Sequence, residues 1–313
     1  MERARRATLK DVARVSGVSP TTVSFVLNDT PGQTIPADTR AKVFEAARSL
    51  DYSPHRLARA LREGSSRVVL LKLGDLRPGH SMDGFVTGMR HELSRHGHTL
   101  VVHPGGAGPA LMAEFVATLA PRAVVDLAGP YQQAATDGNG NDGGWVDGLA
   151  AHTMTQLAHL ATRGHSQIAL ALPDEAAAEP LAGLRLRHAR EAWSQLGSQE
   201  LHPLHVPATA HEAAGAVRTL RVHHPQVTAV AAFDDETALR VLAAMADAGL
   251  AAPADLAVIG FDDGPYGALW RPTLTSVHID GESFGRRAAR EALGIDPGAP
   301  VTPASTVVQR QSA

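Results

Sequence analysis

From Thr8 to Leu50 the apolar residues recur at helical intervals in three short runs, each with its own start and stop signals. Thr8 can cap a first helix, with Asp11 reaching back as in a capping box. Leu9, Val12, Ala13 and Val15 supply its apolar side, and Gly17 ends it. Ser19 caps a second helix with Pro20 at its first position, where a missing N–H costs nothing. Val23, Val26 and Leu27 turn inward from that helix, which leaves Pro20, Thr21, Thr22, Ser24, Phe25 and Asn28 for another surface. A third helix fits 36–50, packing Val43, Ala46, Ala47 and Leu50. Three short helices with a three-residue turn between the first two describe a helix-turn-helix.

The segment SPHRLARALREGSSR, 53–67, carries Leu57, Ala60 and Leu61 on one face, with Arg56, Arg59 and Arg62 spaced every three residues. So short a helix needs a partner to fold against. It reads either as a basic linker or as a helix that forms on DNA.

Beyond residue 67 the rhythm changes. RVVLLKL (67–73), TLVVH (99–103), RAVVDLA (122–128), QIALAL (167–172), VTAVAAF (227–233) and DLAVIGF (255–261) read as buried strands. Helical stretches separate them, so the expected body is a set of parallel sheets covered on both faces. Ligands of such folds bind outside the carboxyl ends of the strands. The stretch 129–144, GPYQQAATDGNGNDGG, is an insert of flexible composition.

Composition sharpens this division. The 313 residues exceed one typical domain. Residues 1–67 hold 12 Lys and Arg against 7 Asp and Glu, whereas the rest hold 17 against 25. A basic head on an acidic body suits a polyanion-binding module joined to something else. The absence of cysteine excludes disulfides and thiolate metal sites. No apolar run approaches the roughly 20 residues of a membrane span, and MERARRATLKDV lacks an apolar core behind its charges. The expectation is a cytoplasmic protein.

Three signals point to chemistry and are outweighed. GNGNDG (138–143) satisfies G-x-G-x-x-G, but no strand feeds it. GESFG (281–285) satisfies G-x-S-x-G, yet although Asp296 follows its serine no histidine follows His278, so the base of such a hydrolase is missing. The 16 histidines include HELSRH (91–96) and the pairs His202/His205 and His223/His224. None has the four-residue spacing of a helical zinc motif, and surface histidines are the expectation. No cofactor, no metal and no enzymatic activity are expected.

The chain resembles the lactose-repressor/galactose-repressor (LacI/GalR) family of bacterial transcription regulators. The resemblance rests on TLKDVARVSGVSPTTVSFVLN (8–28), LARALR (57–62), ATRGHSQIALA (161–171), VTAVAAFDDETALRVLAAMADAGLAAPADLAVIGFDD (227–263) and PTLTSVHIDGESFGRRA (272–288), in the family's order. It implies an all-α helix-turn-helix headpiece at 1–52 and a hinge helix and linker at 53–66. The implied core, 67–313, is a periplasmic-binding-protein-like α/β unit of two doubly wound parallel-sheet subdomains. The N-subdomain covers about 67–147 and 279–297, and the C-subdomain about 148–278 and 298–313. The family has an additional helix and strand between RAVVDLA and WVDGLAAH, so the first sheet is expected to be abbreviated.

The resemblance also implies a repressor that binds a pseudo-palindromic DNA operator as a homodimer under control of a sugar-like effector. Pro20, Thr21 and Phe25 take positions that face base edges, and Thr22, Ser24 and Asn28 take positions near phosphates, joined by Thr8 and Tyr52. Phe25 departs from the arginine common at that position. An aromatic touches a thymine methyl but cannot bond guanine bidentately, unless Phe25 mainly packs. Leu61 takes the place of the leucine wedged into the minor groove, flanked by Arg59 and Arg62.

For the effector, Arg185 matches the pocket arginine when the helix is anchored on Trp193 to Gly197. A register through Leu181 to Gly183 puts Pro180 there instead. Asp234 and Asp262 follow strands and match acceptors of sugar hydroxyls, with a helix cap or a turn as the alternative for each. Asp235 reads as a cap. Asp75 and His80 lie in the first loop, and Trp270 is placed to stack on a ligand. Replacing Leu61 by alanine should lower operator affinity and spare non-specific binding in a mobility-shift assay; equal losses on both DNAs would contradict the wedge.

Overall fold

A computed structural model describes residues 7–27, 32–52, 66–74, 79–105, 108–127, 129, 144–197, 200–302 and 305–313. The chain forms two compact units, Met1–Ser66 and Arg67–Ala313. Asn28, Arg59, Leu61, Arg62, Asp75, the 53–62 helix and the GNGNDG loop lie outside the described residues.

In the first unit, α1 (Leu9–Ser16), α2 (Pro20–Leu27) and α3 (Ala37–Ser49) close on one small core. The Thr8–Asp11 capping box forms: the Thr8 N–H donates to Asp11 Oδ2 at 2.9 Å, and the Asp11 N–H donates to Thr8 Oγ1 at 3.4 Å. Gly17 ends α1 with φ 71°, a conformation in which glycine carries no Cβ penalty. Ser19 Oγ accepts the Thr22 N–H at 3.0 Å and so starts α2. Val12, Ala13, Val23, Val26, Val43, Ala46 and Ala47 make the core, with Leu9, Leu27, Leu50 and Tyr52 packed against it. Val15, read above as apolar support, is exposed instead. The stripe of Val12 and Ala13 already fills the contact with α3, and Val15 falls outside that arc.

Among the described residues the second unit holds two sheets. The first, ordered β2-β1-β3, is built from β1 (Val68–Gly74), β2 (Thr99–Pro104) and β3 (Ala123–Asp126), all parallel. The second contains β4 (Ile168–Pro173), β5 (Leu201–Val206), β6 (Ala229–Ala232), β7 (Ala257–Phe261), β8 (Thr275–Ile279) and β9 (Ser305–Val308). Its order is β5-β4-β6-β7-β8-β9, with only β9 antiparallel. In β4, β6 and β7 every residue is buried, and alternate residues feed two different cores. Ile168, Leu170, Ala229, Ala231, Ala257 and Ile259 join one cluster, whereas Ala169, Ala171, Val230, Ala232 and Val258 join the other. Two-sided burial is why these strands read as unbroken apolar runs.

Two of the expected buried strands differ. β2 and β3 are the edges of the three-stranded sheet and are largely half-exposed, with Val102 and Val124 exposed. The helix between them, α5 (Pro109–Leu119), has no buried residue. The loss of burial is a property of edges: each has a neighbour on one side only.

Helix α4 (His80–Arg95) crosses α10 (Gly281–Leu293) at close range. Glycines make this crossing. A Cβ on Gly88 would sit 2.1 Å from the Glu282 carbonyl oxygen, one on Gly281 2.0 Å from that of Ser81, and one on Gly285 2.0 Å from that of Phe85. The backbones therefore touch, and no side chain fits between them. This accounts for GESFG: its two glycines are a helix-crossing surface in the first turns of α10. Its serine Oγ donates to Asp280, the N-cap. At the far end of the crossing the buried Glu92 accepts from Arg290 Nε at 2.7 Å. That bond, with Arg95 and His96 nearby, holds its carboxyl below the usual range despite burial. So the acid of HELSRH clamps the two helices.

Gly285→Ala should lower stability by about 1–3 kcal/mol, the usual cost of overpacking. Gly215→Ala is the control: it lies in α8 (Ala210–His223), where a Cβ would meet nothing within 4 Å. It should be neutral or stabilising by roughly 0.5–1 kcal/mol. Urea unfolding of both variants checks this.

Candidate functional site

A cavity of about 310 Å³ lies in the second unit at the carboxyl ends of β6, β7 and β8. The start of α4 supplies Gly79, Ser81 and Met82. Helix α6 (Trp145–Thr162) supplies Trp145, Leu149 and His152, and α7 (Glu179–Gln195) supplies Leu181 and Arg185. Phe233, Asp234 and Glu236 come from the β6 end and the start of α9 (Asp235–Asp247). Phe261 and Asp262 follow β7, and Ile279 ends β8.

Arg185 is 1 % exposed. Its guanidinium carbon sits 3.6 Å from the centre of the Phe261 ring and 5.9 Å from that of Phe233. Its Nη2 donates to Gln156 Oε1 at 2.9 Å. Gln156 is fully buried, and its Nε2 donates to the carbonyls of Ala232 at 2.8 Å and Gly260 at 3.0 Å. Those two strand-end carbonyls take the amide nitrogen, so its oxygen faces the arginine. Cation–π contact and a fixed amide together set the guanidinium in place.

The acids play separate roles. Asp234 lines the cavity and also caps α9, accepting the Thr237 N–H at 2.7 Å. Asp235 is not the cap expected of it. Its carboxylate accepts the N–H of Phe261 at 2.8 Å and that of Gly264 at 2.6 Å, together with the Ser276 hydroxyl. Burial outweighs these bonds and pushes its pKa up to about 6. Asp235 thereby holds the loop in which Asp262 and Asp263 adopt φ 106° and 54°, backbone that non-glycine residues rarely take. Asp262, half-buried, accepts a hydrogen bond from the Ser81 hydroxyl. A Cβ on Gly79 would lie 2.3 Å from Asp262 Oδ2, so a side chain there would displace the carboxylate. Desolvation first, then the charges of Asp235 and Asp234, push the Asp262 pKa up to about 7.

Of the expected effector residues, Arg185, Asp234 and Asp262 come together in the cavity. Pro180 is exposed in the first turn of α7. His80 is exposed at the start of α4 beside Gly264 and does not line the cavity; its neighbours Gly79 and Ser81 do. Trp270 is 38 % exposed in the turn after Tyr266 and does not line the cavity; its backbone N–H donates to the Tyr266 carbonyl, and its own carbonyl accepts from Arg271. Ser81, His152, Gln156, Phe233 and Phe261 were missed. Their signal was present on α6: His152, Thr153 and Gln156 interrupt the stripe of Leu149, Leu157 and Leu160 at buried positions. His152 and His202 also depart from the expectation of surface histidines, since both are buried. His202 stacks on His224, ring centres 4.0 Å apart, rather than pairing with His205. Among the described residues no group of three or more His, Cys, Asp or Glu is placed to hold a metal, and no helix is long and apolar enough to cross a membrane.

In the first unit Thr8, Pro20 and Thr21 are exposed, and Thr22, Ser24 and Phe25 are half-buried. The Thr22 hydroxyl lies 2.9 Å from that of Ser19. Tyr52 packs against the core, and burial raises its pKa.

Residues 8–55 match the family described as bacterial regulatory proteins, lacI family. Residues 157–313 match the periplasmic binding protein-like domain. The chain belongs to the lacI family of bacterial regulatory proteins. Its function is that of the family, DNA-binding regulation of transcription, with operator binding as a homodimer typical of members. The similar proteins are repressors of transcription rather than enzymes. It is 28 % identical to the HTH-type transcriptional repressor PurR of Vibrio cholerae serotype O1, across 90 % of this chain and 89 % of that protein. With PurR of Vibrio campbellii the identity is 27 %, over 90 % of each. Among solved structures it is similar to the lac repressor dimer bound to operator and the anti-inducer ONPF. There the TM-score is 0.74 at 22 % identity, over 98 % of this chain and 99 % of that one. The transcriptional regulator CelR–cellobiose complex gives 0.57 at 25 % identity, over 98 % and 100 %.

A carboxyl with a raised pKa binds its proton more tightly in the folded chain than in the unfolded one. Asp262 therefore favours folding at low pH, and that advantage is lost as pH rises from about 4 to about 7. Asp262→Asn should gain stability relative to the parent chain between pH 5 and pH 8 in unfolding experiments; an unchanged difference would contradict the shift.

Proposed function

We propose that this lacI-family protein is a cytoplasmic, homodimeric repressor whose operator affinity is set by an uncharged, sugar-like effector in the cavity. One observation supports the effector reading above the others. Arg185, Asp234 and Asp262 converge on a cavity walled by Trp145, Phe233 and Phe261. Carboxylates accept from hydroxyls, a guanidinium donates to them, and aromatic faces cover the apolar side of a sugar ring.

For the DNA end, the proposed contacts are Thr8, Pro20, Thr21, Thr22, Ser24, Phe25, Asn28 and Tyr52, with Arg59, Leu61 and Arg62 of the hinge. The start of α2 favours this reading, because its small hydroxyls and helix dipole suit phosphate oxygens. The subdomain division at about 147 and 279 remains part of the proposal. The crossing of α4 and α10 on one side and the β8–β9 pairing on the other are consistent with it.

Selection from random duplexes with the full chain should return a pseudo-palindrome, bound with a steep dependence on salt. A chain lacking 1–63 should lose that binding. A screen of neutral mono- and disaccharides should find one that shifts operator affinity, and Arg185→Gln should abolish the shift while sparing DNA binding. DNA affinity surviving the deletion would overturn the headpiece assignment, and a full response in Arg185→Gln would overturn the effector site.

A further inference from the structure

His152 stands apart in the cavity wall. It is 3 % exposed, and among the described residues neither ring nitrogen has a hydrogen-bond partner. Nearly all buried polar side chains are bonded, so an imidazole left with both nitrogens unmet calls for an explanation. It is not a packing accident that a small shift would relieve. The ring meets Phe261 and Phe284 edge-on, with centres 6.3 Å and 5.8 Å apart. On its own helix it lies over Gly148, where a Cβ would come 2.8 Å from Nε2. Two aromatic edges and a missing methyl thus fix a polar ring in the wall of the cavity.

We propose that His152 is a specificity-determining ligand contact, exchanging a hydrogen bond with a hydroxyl group of an uncharged ligand in the cavity. This rests on the effector reading above and adds the group that selects for the hydroxyl. Burial and the Arg185 charge push the imidazole pKa down to about 4, so the ring is neutral at physiological pH. A neutral imidazole offers one N–H and one lone pair. A hydroxyl can meet either. An anion can meet only the N–H, and across the same cavity it would face the three carboxyl groups of Asp234, Glu236 and Asp262 against the single guanidinium of Arg185. Packing therefore presets the ring, and its chemistry prefers a polyol to a phosphate or carboxylate.

The experiment uses the full chain with ring-nitrogen-labelled histidine. It is titrated with glucose, galactose, lactose and cellobiose, with glucose phosphate, and with adenine and hypoxanthine, while the His152 nitrogen resonances and the affinity are followed. The His152→Phe variant assigns the signals and tests their meaning. A neutral sugar should move the His152 signals. His152→Phe should bind it about tenfold or more weakly, the loss expected when a hydroxyl loses its partner, and His152→Gln should recover part of the affinity. A deoxy analogue lacking that hydroxyl should bind the parent and His152→Phe equally.

A sugar that binds without moving the His152 signals would overturn the proposal and leave the effector reading intact, and this holds even if His152→Phe fails to fold. Equal affinity of that sugar for the folded parent and His152→Phe would do the same. Binding of only the phosphate or the bases, or of nothing in the panel, would overturn the sugar-effector reading and this proposal with it.

Discussion

The close crossing of α4 and α10 is the constraint on which the rest of the core depends. Backbone lies on backbone because Gly88, Gly281 and Gly285 have no side chains to keep the helices apart. The crossing starts beside the cavity: Gly79, Ser81 and Met82 open α4 there, and Ile279 precedes α10. A displacement of one helix would therefore be felt at once in the wall that faces Asp262. Trp145 packs into the same place, its ring centre 5.1 Å from Phe85 and 5.8 Å from Phe284. The pair of buried Glu92 with half-exposed Arg290 closes the other end. Removing Arg290 from such a pair is costly, because it strands the buried Glu92 carboxylate.

The cavity chemistry follows from groups held by what lies behind them. Gln156 ties Arg185 to two strand ends, and Asp235 ties down the turn that carries Asp262. Neither supporting residue lines the cavity, yet each decides where a charged group points. Side chains at a binding site reach this precision only when their supports are themselves bonded. Desolvation then raises both carboxyl pKa values and lowers that of the His152 imidazole, so each group holds less charge than it would in water.

Much of this was legible in the chain, for physical reasons that can be named. Capping at Thr8, Asp11, Gly17 and Ser19 is local, so residue order was enough to place α1 and α2. Strands β4, β6 and β7 were readable because burial on both faces leaves them continuously apolar. By contrast, β5 is an edge strand that alternates and tolerates Pro203, and β9 is a short antiparallel edge; neither carries a strong pattern. Arg185, Asp234 and Asp262, which line the cavity, were named through a family motif. His152 and Gln156 were not, since a polar residue on an apolar stripe signals something only when the stripe is known to face a cavity. Trp270 was misjudged because an aromatic near a strand end can equally well lie on the surface.

The unequal sheets bear on how this cavity can respond to an occupant. One wall rests on six strands with cores on both faces, whereas the other rests on three, flanked by a helix with nothing buried. Protection against amide exchange tracks buried apolar contact, so the thinner half opens at lower free energy. If an effector occupies the cavity, the thinner half is the one with more order to gain, and the thicker one the firmer backing.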